Sequence, residues 1–285
     1  MSEVRVVARS GRDLLGEGLL WSDRENALYW TDIIGRQLHR LALGDEVLTS
    51  WTMPEMIGWV VEREDAPGLI AGFQSVIVEL RLDPLRIVPI VSPEPELPGN
   101  RRNDAKADRF GRIWAGSMDV GGGKATGALF RLDPDRSVHR VDDGYRVCNG
   151  PAFSADGRWM YHTDSGRSMV YRFAFHDDGS LGPRQDHIAF PRDWGHPDGM
   201  IVDAEDGLWI AHWNGARVTR FVEGKPERAI ALPTPQITNC TFAGAGLDRM
   251  FVTSAADGRG DDPLAGALFE VDPGVRGLPA ARYGG

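Results

Sequence analysis

Cysteine and histidine are scarce in this chain of 285 residues, with two of the first and seven of the second. The two thiols, Cys148 and Cys240, allow one disulfide at most, and a reducing compartment disfavours even that, so they read as small packing residues. The histidines form no HxH, HExxH or paired Cys/His cluster, which argues against a zinc-protease or structural-zinc site. No Gly-x-Ser-x-Gly elbow is present, which argues against an α/β-hydrolase. Gly121-Gly122-Gly123-Lys124 lacks the spacing of a phosphate-binding loop and falls between strands, so it reads as a rim or lid loop. Excess positive charge is missing as well. A formal charge of −9 argues against a nucleic-acid or anionic-membrane partner. No segment reaches the apolar length of a membrane-spanning helix. The first residues, Met1 to Arg9, carry an early acid and no apolar stretch of leader length, so a cytoplasmic location is the expectation.

What the chain has in quantity is glycine and tryptophan, 35 and nine residues, which suits many short strands joined by tight turns. At 42% hydrophobic and 26% charged it is ordinary for a globular protein, and all-β folds of this length are often single domains. One stretch shows the local plan. In His196 to Ala211 a carboxylate, Asp198, stands just ahead of an apolar run; Asp206-Gly207 then reads as a hairpin turn into a second strand through Trp209. The second strands centred on Tyr29, Ile70, Trp114, Tyr161, Trp209 and Phe251 follow one another at 41 to 48 residues. Such a period is that of four-stranded blades, and six units fill the chain. Stepping back eleven or twelve residues from each anchor reaches Glu17, Gly58, Asn103, Asn149, Asp198 and Asn239.

Asp and Asn at a single strand entrance have an ordinary explanation in turn hydrogen bonding. Five carboxylates or carboxamides at one register of a radial repeat instead point to a shared axial site. Hard oxygen donors of this kind suit calcium, magnesium or manganese, with zinc tolerated. Gly58 is the one ring position without a donor, so room for a ligand is expected on that side. Val4-Arg5-Val6-Val7 has no partner in the first unit and is expected to close the last one beside Ala267 to Val271. The proline-rich stretch Ser92 to Gly99 reads as a surface connection. It leads to Arg101 and Arg102, either of which can offer a guanidinium fork to a substrate's hydroxyls or carboxylate.

Gly16-Glu17-Gly18, Asn100-Arg101-Arg102-Asn103-Asp104-Ala105-Lys106, Asn149-Gly150, Pro197-Asp198-Gly199-Met200 and Gly274-Val275-Arg276-Gly277 occur in this order along nearly the whole chain. In this order and spacing they resemble the SMP-30/gluconolactonase/regucalcin family. The resemblance implies one all-β domain over residues 1–285, a six-bladed β-propeller with a single divalent cation near the axis. It implies Glu17, Asn149 and Asp198 as metal ligands, with Asp198 also the general base. Arg101 and Asn103 match residues that contact substrate or a metal-bound water. Asp119 stands nearest to the place where the family carries a substrate-contacting glutamate, which has no clear match here. The implied activity is opening of a sugar lactone to the aldonic acid, with calcium, magnesium, manganese or zinc as the cation. The sequence carries no signal of oligomeric state, and a monomer is the default expectation. A propeller esterase acting on other lactones or organophosphates, and a calcium-binding propeller without turnover, are the alternatives.

Overall fold

The computed structural model describes residues 4–9 and 11–285. It contains 24 strands in six antiparallel four-stranded sheets, with no α-helix among the described residues. The first strands of the six sheets are Gly16–Ser22, Ile57–Glu62, Asn100–Ala107, Cys148–Phe153, His196–Val202 and Ile237–Ala243. Each packs against the first strand of the sheets on either side, and the last returns to the first. That closed circuit makes the sheets blades 1 to 6 of a propeller, with the first strands around its axis.

Blade 6 is composite. The terminal strand Val4–Val6 pairs antiparallel with Phe269–Val271, with Arg5 opposite Glu270. The Arg5 Nε donates to Glu270 Oε2 at 2.7 Å. The ring is therefore closed by strand pairing as well as by packing, and no unpaired edge is left at the seam.

Buried tryptophans hold the blades in register. Asp108 and Asp203 stand just past the first strands of blades 3 and 5. Each accepts a hydrogen bond from the indole six residues on, Trp114 and Trp209, at 2.8 Å, and from an arginine Nε at 2.6 Å. The Asp206-Gly207 hairpin differs from the simple sequence expectation. Asp206, not the glycine, takes the left-handed conformation, at φ 62°. Gly207 is small because a Cβ there would lie 2.4 Å from Arg220 Nε. The glycine makes room for the arginine that pairs with Asp203.

After Val271 the chain runs as a strap across the face where the first strands end. Gly277 donates to Leu247 O and Ala204 donates to Arg276 O, tying it to blades 6 and 5. Tyr283, fully buried, exchanges backbone bonds with Glu62 and Glu64 and donates its hydroxyl to Asp133 O, reaching blades 2 and 3. The strap spans the ring, and all its anchors lie on one face.

Asp203 is fully buried and also accepts the Glu205 and Gly207 amides. Asp203→Ala strands a buried guanidinium and an indole N–H. We predict a loss of about 3–5 kcal/mol, read as a lowered urea midpoint; a change within about 0.5 kcal/mol would show the latch to be dispensable.

Candidate active site

The first strands do not run regularly. Pairing to the second strand slips between Glu17 and Leu20, Arg102 and Ala105, Asn149 and Ala152, Pro197 and Met200, and Ile237 and Cys240. Such bulges leave residues outside the ladder and re-aim their side chains, here towards the axis. Gly18 and Gly150 follow Glu17 and Asn149 with φ of 59° and 79°, a conformation that glycine supplies without strain.

Glu17, Arg101, Asn103, Asn149 and Asp198 line one cavity of about 310 Å³ at the strand-entrance end of the axis. All five are buried, with Glu17 2% and Asp198 5% exposed. A directed chain of hydrogen bonds orients the amides. Arg101 Nη1 donates to Asn103 Oδ1 at 2.5 Å, Asn103 Nδ2 donates to Asn149 Oδ1 at 2.8 Å, and Asn149 Nδ2 donates to Ser165 Oγ at 2.9 Å. Asn103 thus turns its oxygen to the arginine, while Asn149 keeps a lone pair on Oδ1 for a further partner.

The carboxyls are crowded and buried. Glu17 is pushed up to about 7, first by burial and then by the nearby Asp104. Asp198 is pushed well above the ordinary carboxylate range by burial, by Glu17 and by Asp104, and it shares a hydrogen bond with Glu17 that requires a proton on one of the two. Arg101, brought down to about 10 by its burial, is the only cationic side chain beside Glu17 and Asp198 in the cavity wall.

Asn239 and Asp104 form a layer beneath this one, and here the register read from sequence needs correcting. Strand pairing sets Thr241 opposite Phe251 as it sets Leu20 opposite Tyr29, so Thr238, not Asn239, is the counterpart of Glu17. The hairpins differ in length by a residue, which the count of eleven or twelve concealed. Asn239 lies one residue deeper, level with Asp104. Its Nδ2 donates to Glu17 Oε2 at 2.9 Å and to Asp104 Oδ2 at 3.3 Å, while its Oδ1 accepts the Cys240 amide. Gly199 admits it, since a Cβ there would lie 2.4 Å from Asn239 Nδ2. Asp104 went unrecognised as a functional candidate. Its signal was available, a carboxylate directly after a ring position.

Other expectations resolve differently. Gly58 leaves no room for a ligand, because blade 3 fills the space: a Cβ there would lie 2.7 Å from the carbonyl oxygens of both Arg102 and Asn103. Arg102 turns away from the cavity to a buried ion pair with Glu94 at 3.0 Å, over the Phe130 ring. Glu94 also accepts from Asn100 and Ser117, so the proline-rich connection carries a buried anchor. The structure does not bring Asp119 to the cavity; its Oδ2 accepts the Gly123 amide at 3.2 Å and organises the glycine loop. Leu15, Met118, Val147, His196 and Trp213 complete the wall, from strand ends and loops that carry no periodic signal.

These residues fit a divalent cation. Two buried carboxylates and an oriented carboxamide oxygen form a hard donor set with more negative charge than Arg101 balances. Among the described residues no three His, Cys, Asp or Glu side chains converge, so a cation here would rest on two carboxylates and a carboxamide. A second cavity, about 240 Å³ at the strap end, is walled mainly by apolar side chains such as Leu19, Val60 and Phe242 and has no such convergence.

Two outcomes follow. Asn239 steadies Glu17, so Asn239→Leu is expected to weaken calcium binding roughly tenfold to a hundredfold by titration calorimetry on folded protein; unchanged affinity would show that Glu17 needs no such support. The Glu17 pKa of about 7 lies above its ordinary 4.5, so the cation-free fold holds a proton that the unfolded chain has released between those values. That contribution is present below pH 4.5 and is lost as pH rises through 7. Saturating calcium is therefore expected to raise Tm more at pH 8 than at pH 5.5; an equal rise at both would contradict it.

Comparison with known proteins places the chain. The SMP-30/gluconolactonase/LRE-like family profile matches residues 15–256. L-arabinolactonase of Azospirillum brasilense is 35% identical, over 96% of this chain and 93% of that protein. Regucalcin of Danio rerio is 34% identical over the full length of both. The crystal structure of a calcium-binding protein, regucalcin, from Agrobacterium tumefaciens superposes with a TM-score of 0.92 at 25% identity, covering 99% of this chain and 97% of that one. The match takes in all six axial strand entrances, and the chain belongs to the SMP-30/gluconolactonase/LRE-like family.

Proposed function

We propose that this protein is a divalent-cation-dependent hydrolase that opens sugar lactones to aldonic acids. The observation that carries the reading is the convergence of Glu17, Asn149 and Asp198 with Arg101 and Asn103 on one small cavity. A cation-binding scaffold has no use for a buried arginine aimed into the same space. Relatives named as lactonases, the arabinolactonase among them, support the reaction class, and a neighbour described as calcium-binding supports the cofactor class.

Glu17, Asn149 and Asp198 would hold the cation. When bound, it supplies Lewis-acid polarisation of a carbonyl and eases the deprotonation of water. The chain's own groups do the rest. Arg101, held by its hydrogen bond to Asn103 Oδ1, presents its remaining N–H donors to orient the lactone's oxygens, while Asn103 Nδ2 is engaged by Cys148 O and Asn149 Oδ1. Asp198 Oδ takes the proton of the attacking water as the new C–O bond forms. The ring C–O bond then breaks, and the proton held on Asp198 passes to the departing alkoxide to give the hydroxyl of the open acid. A cavity of about 310 Å³ lies at the small end of the range for small-molecule sites, which favours single sugar rings over bulkier esters.

Asp198→Asn keeps the shape of the side chain and removes the base. We predict a fall in kcat of at least about a hundredfold for aldonolactones, with the protein still folded. Chelation is expected to abolish the wild-type rate, and calcium, magnesium, manganese or zinc added singly to restore it to different extents. Acid release above the spontaneous rate in the cation-free protein would overturn the metal dependence.

A further inference from the structure

Resting on the lactonase reading, we propose that the preferred lactone carries an anionic group on its far end, a carboxylate, sulfonate or phosphate, and that Arg146 at the cavity rim recognises it. The argument begins with charge. The cavity wall contains two acidic side chains, Glu17 and Asp198, and both face the cation site. A divalent cation balances them, which leaves the Arg101 charge uncompensated within a buried space. No other Asp or Glu side chain lines the cavity: Asp104 lies in the layer beneath, where Lys106 offsets it, and Asp119 is committed to the Gly123 amide of its own loop. In a protein of net charge −9, the cation-loaded mouth is a local patch of the opposite sign. Such a patch attracts anions and raises their local concentration.

Arg146 extends that patch to the rim. It immediately precedes Val147, which lines the cavity, and its stem packs over Gly166, which also lines it. A Cβ on Gly166 would sit 2.6 Å from Arg146 Cβ and 3.1 Å from Cδ, so the absence of a side chain there lets the arginine lie against the wall. Its backbone amide donates to Asp164, but that carboxylate gives its ion pair to Arg167. The neighbouring Arg184 is held by Asp142. Some exposed arginines elsewhere, such as Arg24, Arg109 and Arg158, hold a carboxylate. Others, such as Arg81, Arg86 and Arg192, hold none among the described residues, and Arg146 differs from those in lying at the cavity rim. Arg146 makes no ion pair among the described residues and is exposed to solvent. With the lactone carbonyl at the cation site on the floor, the opposite end of the sugar points to the mouth. A guanidinium there meets a tetrahedral or planar anion with paired N–H donors.

The test compares cation-loaded wild type, Arg146→Ala and Arg146→Lys on glucono-1,5-lactone, its 6-phosphate, its 6-deoxy-6-sulfo analogue and glucarolactone. The wild type is expected to show a higher kcat/KM for at least one anionic lactone than for the neutral one, through a lower KM that rises with salt. Arg146→Ala is expected to reduce that preference about fivefold or more, and Arg146→Lys to retain most of it. Which anion is preferred separates the three chemistries. A wild type that favours the neutral lactone, or an unchanged preference in Arg146→Ala, overturns the inference and leaves the lactonase reading standing. No hydrolysis of any of the four with any cation overturns that reading, and this inference with it.

Discussion

Glu17 and Asp198 share a hydrogen bond at the buried centre of the ring, with Asp104 close beneath, and Arg101 and the deeper Lys106 offset them. Buried like charges at such separation repel strongly, and the fold tolerates them only with a retained proton or with a cation between them. The rest of the architecture can be understood from that requirement. The bulges aim the carboxyls, Asn239 fixes one of them from below, and the chain of amides from Arg101 to Ser165 sets the remaining donors.

A site that is electrostatically costly without its ion needs a frame that does not relax around it. Three devices provide it. The terminal strand closes blade 6, buried Asp–Trp–Arg latches fix hairpins in blades 3 and 5, and the strap ties blades 2, 3, 5 and 6 across one face. None of them touches the cavity. Stability and chemistry are therefore separated along each blade, with latches at the far end of the first strand and donors at its entrance.

Much of this plan was legible in the residues. The repeat of aromatic-centred second strands located the six blades, and the recurrence of Asp, Asn and Glu ahead of the first strands located the axis. What periodicity missed has physical causes. Asn239 was set one layer too high because a hairpin can gain a residue without disturbing its hydrophobic pattern. Gly58 suggested open space, whereas a missing side chain is as often filled by a neighbour's backbone. Arg101 and Arg102 look alike in the chain, yet alternate residues of a strand face opposite ways, so one lines the cavity and the other pairs with Glu94. The cavity wall from Leu15, Met118, Val147, His196 and Trp213 comes from strand ends, where no repeat constrains residue type.

The strap and the Asp104–Asn239 layer together have a consequence for traffic. Asp104, Asn239 and the tightly packed glycines occupy the axis below the carboxyls, and the strap lies across the far face. The ring is therefore a blind well and not a tunnel. Substrate enters and product leaves through one opening, past the same rim residues, and a slow-leaving acid obstructs the next arrival. Whatever the rim does to admit a ligand it must also undo to release it, so the side chains around that opening govern throughput as well as choice.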